Sequence, residues 1–386
     1  MIKAQTLKGF RDFLPKDAKK RQYAISTLRK VFELYGFEPL ETPTLEYEEV
    51  LTGKYGEEGD RLMYKFTDNG GRKVALKYDQ TVPLARVIAQ NQNDLIFPFK
   101  RYQIQPAFRA ENPQKGRFRE FVQCDIDIIG ADSPLCDFEL IEIAAKGFER
   151  LGFKNTRIYI NDRELFKDIP KKAIIIIDKL KKIGKENVKK ELEEKGFDKD
   201  LLDKIIKNKP SDRIKKVLEL VKKSDLNSKV IFDPTLARGL DYYTGIIMEA
   251  EDNDYKAGSL GGGGRYNNLI SLFTGNSFTA SGFSFGFDRL IDAMNDLNLF
   301  PDSFNDTQVL VSFNDNALEI ANVLRIKNIN TEVFLEEKNL EKQLKYADKK
   351  KIPYVIIFDN KKLILKNMQT RTQDVLSIEE IIEKLC

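Results

Sequence analysis

Histidine and tryptophan are absent from this 386-residue chain, and only three cysteines are present. The absence of histidine excludes Ser-His-Asp hydrolysis, Cys-His chemistry and every metal site that uses imidazole ligands. Any catalysis must therefore depend on carboxylates, arginines, tyrosines and bound ions. Such groups suit a reaction in which the nucleophile is already ionised and the barrier is electrostatic.

The cysteines and the hydrophobic runs exclude further classes of protein. Cys124, Cys136 and Cys386 form no C-x-x-C pair and are odd in number, so neither a disulfide framework nor a zinc site is expected. No apolar run reaches the roughly 18 residues that a membrane-spanning helix needs, and no apolar segment follows Met1. We expect a cytoplasmic protein that has no membrane partner.

Charge is nearly balanced along the chain. Lysine and arginine number 64 against 60 for aspartate and glutamate, which gives a formal net charge of +4. This balance permits a polyanionic partner without implying one. The hydrophobic content of 41% and the charged content of 32% are typical of a globular enzyme, and the length allows two domains or more.

Residues 1–300 predict an α+β domain in which a mixed, mainly antiparallel sheet is flanked by helices. Apolar residues recur at helical spacing in 16–35 and in 138–151. Alternating or apolar runs predict strands, of which the clearest are 72–76, 101–108, 118–129, 246–248 and 283–287. A lysine-rich block with few glycines, at about 163–229, predicts a helical insertion within this domain.

Residues 307–386 predict a separate small α/β domain. Short strands at 309–313, 332–335 and 354–358 alternate with helices near 316–327 and 340–350, a pattern that predicts a parallel sheet. Ser377 and Glu380 form a capping box for a last helix.

Two arginine-bearing segments suit a nucleotide triphosphate. Arg109 and Glu111 end one strand, a polar turn follows, and Arg117 precedes the returning strand. A guanidinium can fork onto a phosphate and a carboxylate together, which lysine does less well. Arg289 lies near the start of a helix that follows a glycine-containing strand, where a phosphate could also be held.

Other polar residues suit a small amino compound. Gln123 and Asp127 share one strand face by their even spacing, so both can face one cavity. The tripeptide from Asp79 to Thr81 offers a carboxylate and a hydroxyl to an ammonium group, although alone it is more typical of a helix cap. The segment 236–266 combines a cation, a tyrosine pair and a glycine run that a third tyrosine follows, all in one hairpin: Arg238, Tyr242, Tyr243, Gly261, Gly262, Gly263, Gly264 and Tyr266.

In combination these segments resemble a known family. The segments around Arg109 and Arg289 resemble motifs 2 and 3 of class II aminoacyl-tRNA synthetases, and Pro43 lies in a segment that resembles the dimer-interface motif 1. The run LARGLDYYTG at 236–245, together with GGGRY ending at Tyr266, resembles the histidyl-tRNA synthetases. The resemblance extends over nearly the whole chain.

This resemblance implies a histidine–tRNA ligase with the class II fold and a C-terminal anticodon-binding domain. It implies a homodimer with tRNA(His), L-histidine and ATP as partners, Mg²⁺ bound with ATP, no zinc and no certain side-chain metal ligand. The residues implied to stabilise charge in catalysis are Arg109, Arg238 and Arg289. Those implied to bind histidine are Asp79, Thr81, Arg109, Gln123, Asp127, Arg238, Tyr242, Tyr243 and Tyr266. Those implied to bind ATP are Arg109, Glu111, Arg117, Phe121 and Arg289.

Three alternatives stay open on the sequence. One is the synthetase-like regulatory subunit of ATP phosphoribosyltransferase, against which the C-terminal domain at 308–386 argues. Another is a different class II synthetase, against which the paired tyrosines and Asp127 argue. The third is a tRNA-binding protein without activity, which would have no need of three arginines suited to a triphosphate.

Overall fold

The computed structural model describes residues 2–114, 116–237, 243–276, 278–301, 304, 307–359 and 362–386. Its contacts divide the chain into two compact units, Met1–Phe300 and Pro301–Cys386. The helices of the first unit are α1 (Pro15–Leu34), α2 (Glu48–Leu51), α3 (Gly56–Leu62), α4 (Thr81–Asn91), α5 (Pro134–Arg150), α6 (Lys171–Ile177), α7 (Leu180–Ile183), α8 (Lys185–Glu194), α9 (Leu201–Ile206), α10 (Asp212–Lys222), α11 (Asn267–Thr274) and α12 (Phe287–Asp296).

The first unit is built on an eight-stranded sheet, as the described residues show it. Its order is β1-β5-β6-β11-β10-β9-β7-β8, with parallel pairing only of β1 with β5 and of β7 with β8. A second sheet has the order β2-β4-β3. The strands are β1 (Glu38–Pro39), β2 (Leu45–Tyr47), β3 (Lys65–Thr67), β4 (Lys73–Leu76), β5 (Phe99–Phe108), β6 (Glu120–Ile129), β7 (Thr156–Asp162), β8 (Val230–Phe232), β9 (Ile246–Asp252), β10 (Gly261–Arg265) and β11 (Ala280–Phe285).

The two faces of the large sheet differ because successive side chains of a strand alternate between faces. On one face Cys124, Ile126 and Ile128 of β6 join a core that α1 and α5 complete through residues such as Phe32 and Phe148. Each such side chain contributes roughly 1.5–3 kcal/mol when it is buried. The other face of β6 carries Gln123, Asp125 and Asp127, which we call the polar face of β6. The predicted mixed, mainly antiparallel sheet flanked by helices is confirmed.

The insertion predicted at 163–229 is helical. It contains a single 3-10 turn, Arg163–Phe166, followed by α6 to α10. The apolar faces of α6, α8 and α9 form their own small core, in which Ala173, Val188 and Leu202 are fully buried. Lysines alternate with these apolar positions, so the helices are amphipathic and the cations remain at the surface.

The second unit contains β12 (Val309–Val311), α13 (Ala317–Ile326), β13 (Thr331–Val333), α14 (Leu340–Lys350), β14 (Tyr354–Asp359), β15 (Lys362–Asn367), β16 (Gln373–Leu376) and α15 (Ile378–Leu385). Its sheet order is β13-β12-β14-β15-β16, and β15 and β16 pair antiparallel. The predicted parallel sheet is confirmed for β13, β12 and β14. It was wrong for β15 and β16, which join the sheet in antiparallel pairing. They form a charged hairpin whose turn includes Arg371 at φ 64, and its lysines obscured the strand signal. The predicted capping box of Ser377 and Glu380 is confirmed.

Candidate functional site

A cavity of about 480 Å³ lies on the polar side of the large sheet. Every predicted site residue that the structure describes lines it: Asp79, Thr81, Arg109, Glu111, Arg117, Phe121, Gln123, Asp127, Tyr243, Tyr266 and Arg289. Two others, Arg238 and Tyr242, lie outside the described residues. Residues far apart in sequence therefore meet because β6, β11 and β10 are neighbours in the sheet and α12 follows β11.

Asp79 lies just before α4, and its two carboxylate oxygens differ in their hydrogen bonds. Its Oδ1 accepts hydrogen bonds from the backbone N–H of Val82 at 3.1 Å and from the Tyr55 hydroxyl at 2.7 Å. Its Oδ2 is buried without a hydrogen-bond partner in the described parts of the chain. Burial raises the pKa of this carboxyl. Asp79 thus lies just before the N-cap of α4, Gln80, accepts from one N–H of the first turn, and also presents an open acceptor. The sequence alone favoured the capping role.

The polar face of β6 adds more buried acceptors to the cavity. Asp125 and Asp127 are each 4% exposed, and Gln123 Nε2 donates to Asp125 Oδ2 at 3.3 Å. Gln123 Oε1 and Asp125 Oδ1 have no hydrogen-bond partner among the residues that the structure describes. Tyr266 donates its hydroxyl proton to Asp127 Oδ1. A buried acceptor without a hydrogen bond costs about 1–3 kcal/mol of stability, so these atoms indicate a ligand that donates hydrogen bonds to them.

Replacing Asp125 by asparagine is expected to stabilise the protein at alkaline pH. Burial raises the pKa of Asp125 to about 7, against roughly 4 for an unfolded aspartate. The folded state therefore retains a proton that the unfolded chain releases, and this stabilisation is lost as the pH rises through about 7. Asparagine does not titrate. The melting temperature of D125N minus that of the wild type should increase by roughly 2–6 °C between pH 5 and pH 8.5; a difference independent of pH would contradict this.

Two glycines let backbone and side chain approach closely beside the cavity. A Cβ at Gly282 of β11 would lie 2.0 Å from Asp127 Oδ1, and one at Gly263 of β10 would lie 2.0 Å from the Gly282 carbonyl oxygen. Both distances are far below van der Waals contact, so any side chain there would displace Asp127 or separate the strands. The glycine run is therefore strand β10 and not a plain turn.

Arg109 is held by two aromatic rings at the end of β5. Its guanidinium carbon lies 4.5 Å from the ring centroid of Tyr78 and 4.9 Å from that of Phe121. Its Nε donates to the Tyr78 carbonyl oxygen at 3.2 Å. These contacts restrict the guanidinium while it lines the cavity. A cation that is fixed before a substrate arrives loses little entropy on binding an anion.

Arg289 approaches the same cavity from the first turn of α12. Its NH1 donates to the Ser259 carbonyl oxygen at 2.7 Å. The preceding residue, Asp288, accepts from Arg11 at 2.6 Å, from Arg21 at 2.8 Å and from the backbone N–H of Val122 at 3.0 Å. This junction holds the N-terminus of α12 against β6. Asp288 could not be predicted from the sequence, because its partners lie more than 150 residues away.

Arg117 and Glu111 belong to the turn between β5 and β6. Their closest charged atoms are 3.7 Å apart, and the Arg117 side chain is 56% exposed. Such an open pair contributes little to stability, so both groups are available to a ligand. Among the described residues, no cluster of three or more acidic or cysteine side chains could hold a metal ion. No helix in the described ranges is long and apolar enough to cross a membrane.

Comparison with known proteins agrees with this geometry. The family described as Histidyl-tRNA synthetase matches residues 9–208 and 198–290, and the family described as Anticodon binding domain matches residues 305–386. The histidine–tRNA ligase of Cytophaga hutchinsonii is 39% identical and aligns over 100% of both chains. The crystal structure of histidyl-tRNA synthetase from Nostoc sp. PCC 7120 has a TM-score of 0.84 at 31% identity, covering 100% of this chain and 99% of that one.

A Bacillus halodurans structure titled as an ATP phosphoribosyltransferase regulatory subunit/histidyl-tRNA synthetase has a TM-score of 0.73 at 22% identity, covering 89% of this chain and 96% of that one. At that identity the likeness shows the shared fold alone. The family matches and the full-length relative show more than the fold, because together they extend over both units of the chain. The chain therefore belongs to the histidyl-tRNA synthetase family, within the class II aminoacyl-tRNA synthetases.

Proposed function

We propose that this chain is a histidine–tRNA ligase, which activates histidine with ATP and transfers the histidyl group to the 3′ end of tRNA(His). The observation that carries the proposal is one cavity that contains both buried, unpaired acceptors and several arginines. The acceptors suit a protonated amine and an imidazole N–H, and the arginines suit a triphosphate. The curated relatives that match this chain over its full length carry the same activity in their names.

The amino-acid end of the substrate would lie on the polar face of β6. Asp79, Thr81 and Gln123 would take the α-ammonium group, since two of them present buried oxygens without a partner in the described ranges. The imidazole would lie beside Asp127, with Tyr243 and Tyr266 also lining that part of the cavity. One imidazole nitrogen donates and the other accepts, so a carboxylate and a tyrosine hydroxyl together fit it. By family resemblance Tyr242 would join them.

The nucleotide would lie on the arginines. Arg109 would contact the α-phosphate, while Arg117 and Arg289 would hold the remaining phosphates and Phe121 would face the adenine ring. Membership of this ATP-dependent family implies ATP as substrate, typically with Mg²⁺. Glu111 fits that ion, because Mg²⁺ is bound by one or two carboxylates together with substrate phosphates, and its side chain lines the cavity at 24% exposure. The ion would neutralise charge on the phosphates.

The first step needs no general base. The carboxylate of histidine, already ionised, attacks the α-phosphorus, the bond to the bridging oxygen breaks, and pyrophosphate leaves. Charge then accumulates on the phosphate oxygens, where Arg109, and Arg238 by family resemblance, would stabilise it. In the second step the terminal ribose hydroxyl of the tRNA attacks the carbonyl carbon and AMP leaves, with a phosphate oxygen accepting the hydroxyl proton. This chemistry requires no histidine side chain.

Two further features support binding of tRNA and of a second copy of this chain: the second unit and an apolar face of the first unit. The Anticodon binding domain family matches 305–386, so this unit would bind the anticodon arm of the tRNA. Leu45, Tyr47 and Phe66 on the small sheet are 44%, 53% and 46% exposed, next to the segment that contains Pro43. We propose that this face is the homodimer contact. Sedimentation equilibrium that returned the 44.5 kDa monomer mass would refute the dimer.

The regulatory-subunit alternative is not favoured. The chain retains a unit that matches the Anticodon binding domain family, and its curated relatives at full coverage are named as ligases. ATP–pyrophosphate exchange separates the two functions. The purified full chain is incubated with Mg²⁺, ATP, labelled pyrophosphate and each of the twenty amino acids in turn, without tRNA. Exchange with histidine alone supports the ligase, and no exchange with any amino acid supports the regulatory reading.

A further inference from the structure

Arg101 of β5 is among the largest fully buried side chains of the described chain, with 0% exposure. It belongs to a row of polar residues that lies opposite the polar face of β6. In the antiparallel register, Arg101 pairs with Asp127, Gln103 with Asp125, and Gln105 with Gln123. We call Arg101, Gln103 and Gln105 the supporting row. Residues directly opposite on one face of an antiparallel pair are close enough for their side chains to interact.

The supporting row does not line the cavity. Arg101 NH2 lies 2.7 Å from Asp127 Oδ2, and Arg101 NH1 donates to Gln103 Oε1 at 3.2 Å. The row continues through Gln103 Nε2, which donates to Gln105 Oε1 at 2.6 Å and to the Thr42 hydroxyl at 2.8 Å. Lys77 Nζ ends the row by donating to Gln105 Oε1 at 2.7 Å. Within the described ranges, Arg101 therefore contacts the lining of the cavity through Asp127.

A buried guanidinium is costly unless its partners compensate it, so its presence behind a cavity requires an explanation. The described charged and titratable groups around Asp127 are Arg101 from β5, Tyr266 after β10 and Asp125 on its own strand, while β11 presents Gly282. Asp79 also acts on Asp125. Arg101 is thus the described cation that pairs with Asp127, and it lowers the pKa of both Asp125 and Asp127 against the rise that burial causes. Lys77, at the end of the supporting row, is a second buried cation that interacts with Asp125, and burial lowers its own pKa to about 8.

We propose that Arg101 is a positioning residue for amino-acid recognition, which aims Asp127 at the substrate and favours the ionised form of the carboxyl groups on the polar face of β6. The inference rests on the proposed function, since it assigns Asp127 to the imidazole of histidine. Without Arg101 both aspartates would hold their protons to higher pH, and Asp127 would lose the ion pair that fixes its orientation. The substrate would then meet a larger fraction of neutral carboxyl groups at neutral pH.

The test is the Arg101→Met variant in histidine-dependent exchange between pH 6 and pH 9. We expect the KM for histidine to rise about 10–100-fold at pH 7 with a smaller change in kcat, and the rise to shrink toward pH 9 as the carboxyl groups ionise. Titration of histidine itself is common to both proteins. The control is Arg86→Met, which removes a partly buried arginine, 17% exposed, that pairs with Glu46 at 2.8 Å outside the cavity; it should leave the pH profile of KM unchanged.

An unchanged KM for R101M, or a loss of kcat with an unaltered pH profile, would overturn the proposal. If R101M does not fold, Arg101→Lys decides, because lysine keeps the charge but lacks the planar fork. It should raise KM by a smaller factor, and a wild-type KM would overturn the proposal. Absence of exchange by the wild type would refute the proposed function instead. In that case the role of Arg101 is tested by the free energy of unfolding at two pH values. R101M should lose more stability, relative to the wild type, at pH 8 than at pH 5, and an equal loss would refute the role of Arg101.

Discussion

Replacing Arg109 by alanine is expected to lower histidine-dependent exchange by about 10³–10⁴-fold, equivalent to roughly 4–5.5 kcal/mol of transition-state stabilisation. The guanidinium is fixed between the Tyr78 and Phe121 rings before substrates bind. It can therefore stabilise the charge that develops on the α-phosphate without reorganising. Its loss should appear mainly in kcat, because the other arginines still bind the triphosphate in the ground state. Single-turnover formation of the adenylate measures this effect directly.

Arg157→Ala is the matched control for this experiment. Arg157 is a half-buried arginine of β7, which donates to the Thr156 carbonyl oxygen at 3.3 Å and does not line the cavity. Its replacement should leave exchange within about two-fold, as expected of a site away from catalytic contacts. Arg109→Lys should lie between alanine and wild type, because lysine supplies charge but no fork. Exchange by R109A within ten-fold of the wild type would show that Arg109 has no part in the transition state.

Asp79→Asn is expected to raise the KM for histidine by about 10²–10³-fold. Asparagine preserves the shape of the side chain and an acceptor for the Val82 and Tyr55 hydrogen bonds, so α4 should keep its cap. It removes the negative charge and places an N–H₂ group where the unpaired Oδ2 stands. A donor opposite the α-ammonium group of the substrate costs both the lost attraction and an unmade hydrogen bond. Steady-state exchange with varied histidine gives KM and kcat separately.

Asp252→Asn provides the comparison for D79N. Asp252 of β9 is 3% exposed and accepts from the Thr156 hydroxyl at 3.1 Å and from the Asp254 backbone N–H at 2.9 Å, outside the cavity. Any loss of stability that follows from neutralising a buried aspartate should affect this variant too, without changing KM for histidine. A KM for D79N equal to that of the wild type would remove Asp79 from the substrate site. A fall in kcat alone would assign Asp79 to catalysis instead.

The sequence predicted the strands whose side chains alternate in polarity. In β6 the apolar positions 124, 126 and 128 and the polar positions 123, 125 and 127 separate onto two faces, so Gln123 and Asp127 could be placed in one cavity before the fold was known. In β5 the same two-residue spacing places Arg101, Gln103 and Gln105 on one face, but a polar face on a strand usually indicates that the face is exposed to solvent. Only the register with β6 shows that this face is buried.

Asp125 and Asp288 illustrate a second limit. Asp125 shares the face of Gln123, yet nothing in its spacing distinguishes a ligand-facing carboxylate from one neutralised by a neighbour. Asp288 joins Arg11, Arg21 and the backbone of β6 through contacts that no local pattern encodes. Periodicity thus indicates which face a residue occupies, whereas the identity of its partner depends on how distant segments pack. The hairpin of β15 and β16 was missed for a related reason, since β15 is interrupted by Lys362 and Lys366 and the short edge strand β16 has only two apolar residues.

The most direct test of the account is aminoacylation of total tRNA by the purified full chain. Deacylated tRNA, ATP and Mg²⁺ are incubated with a mixture of all twenty labelled amino acids, and the products are recovered under acidic conditions that preserve the ester. We predict that histidine alone is attached and that it is attached to tRNA(His) alone. Attachment of any other amino acid, or the absence of acylated tRNA when the chain is folded, would contradict the assignment of this cavity to histidine activation.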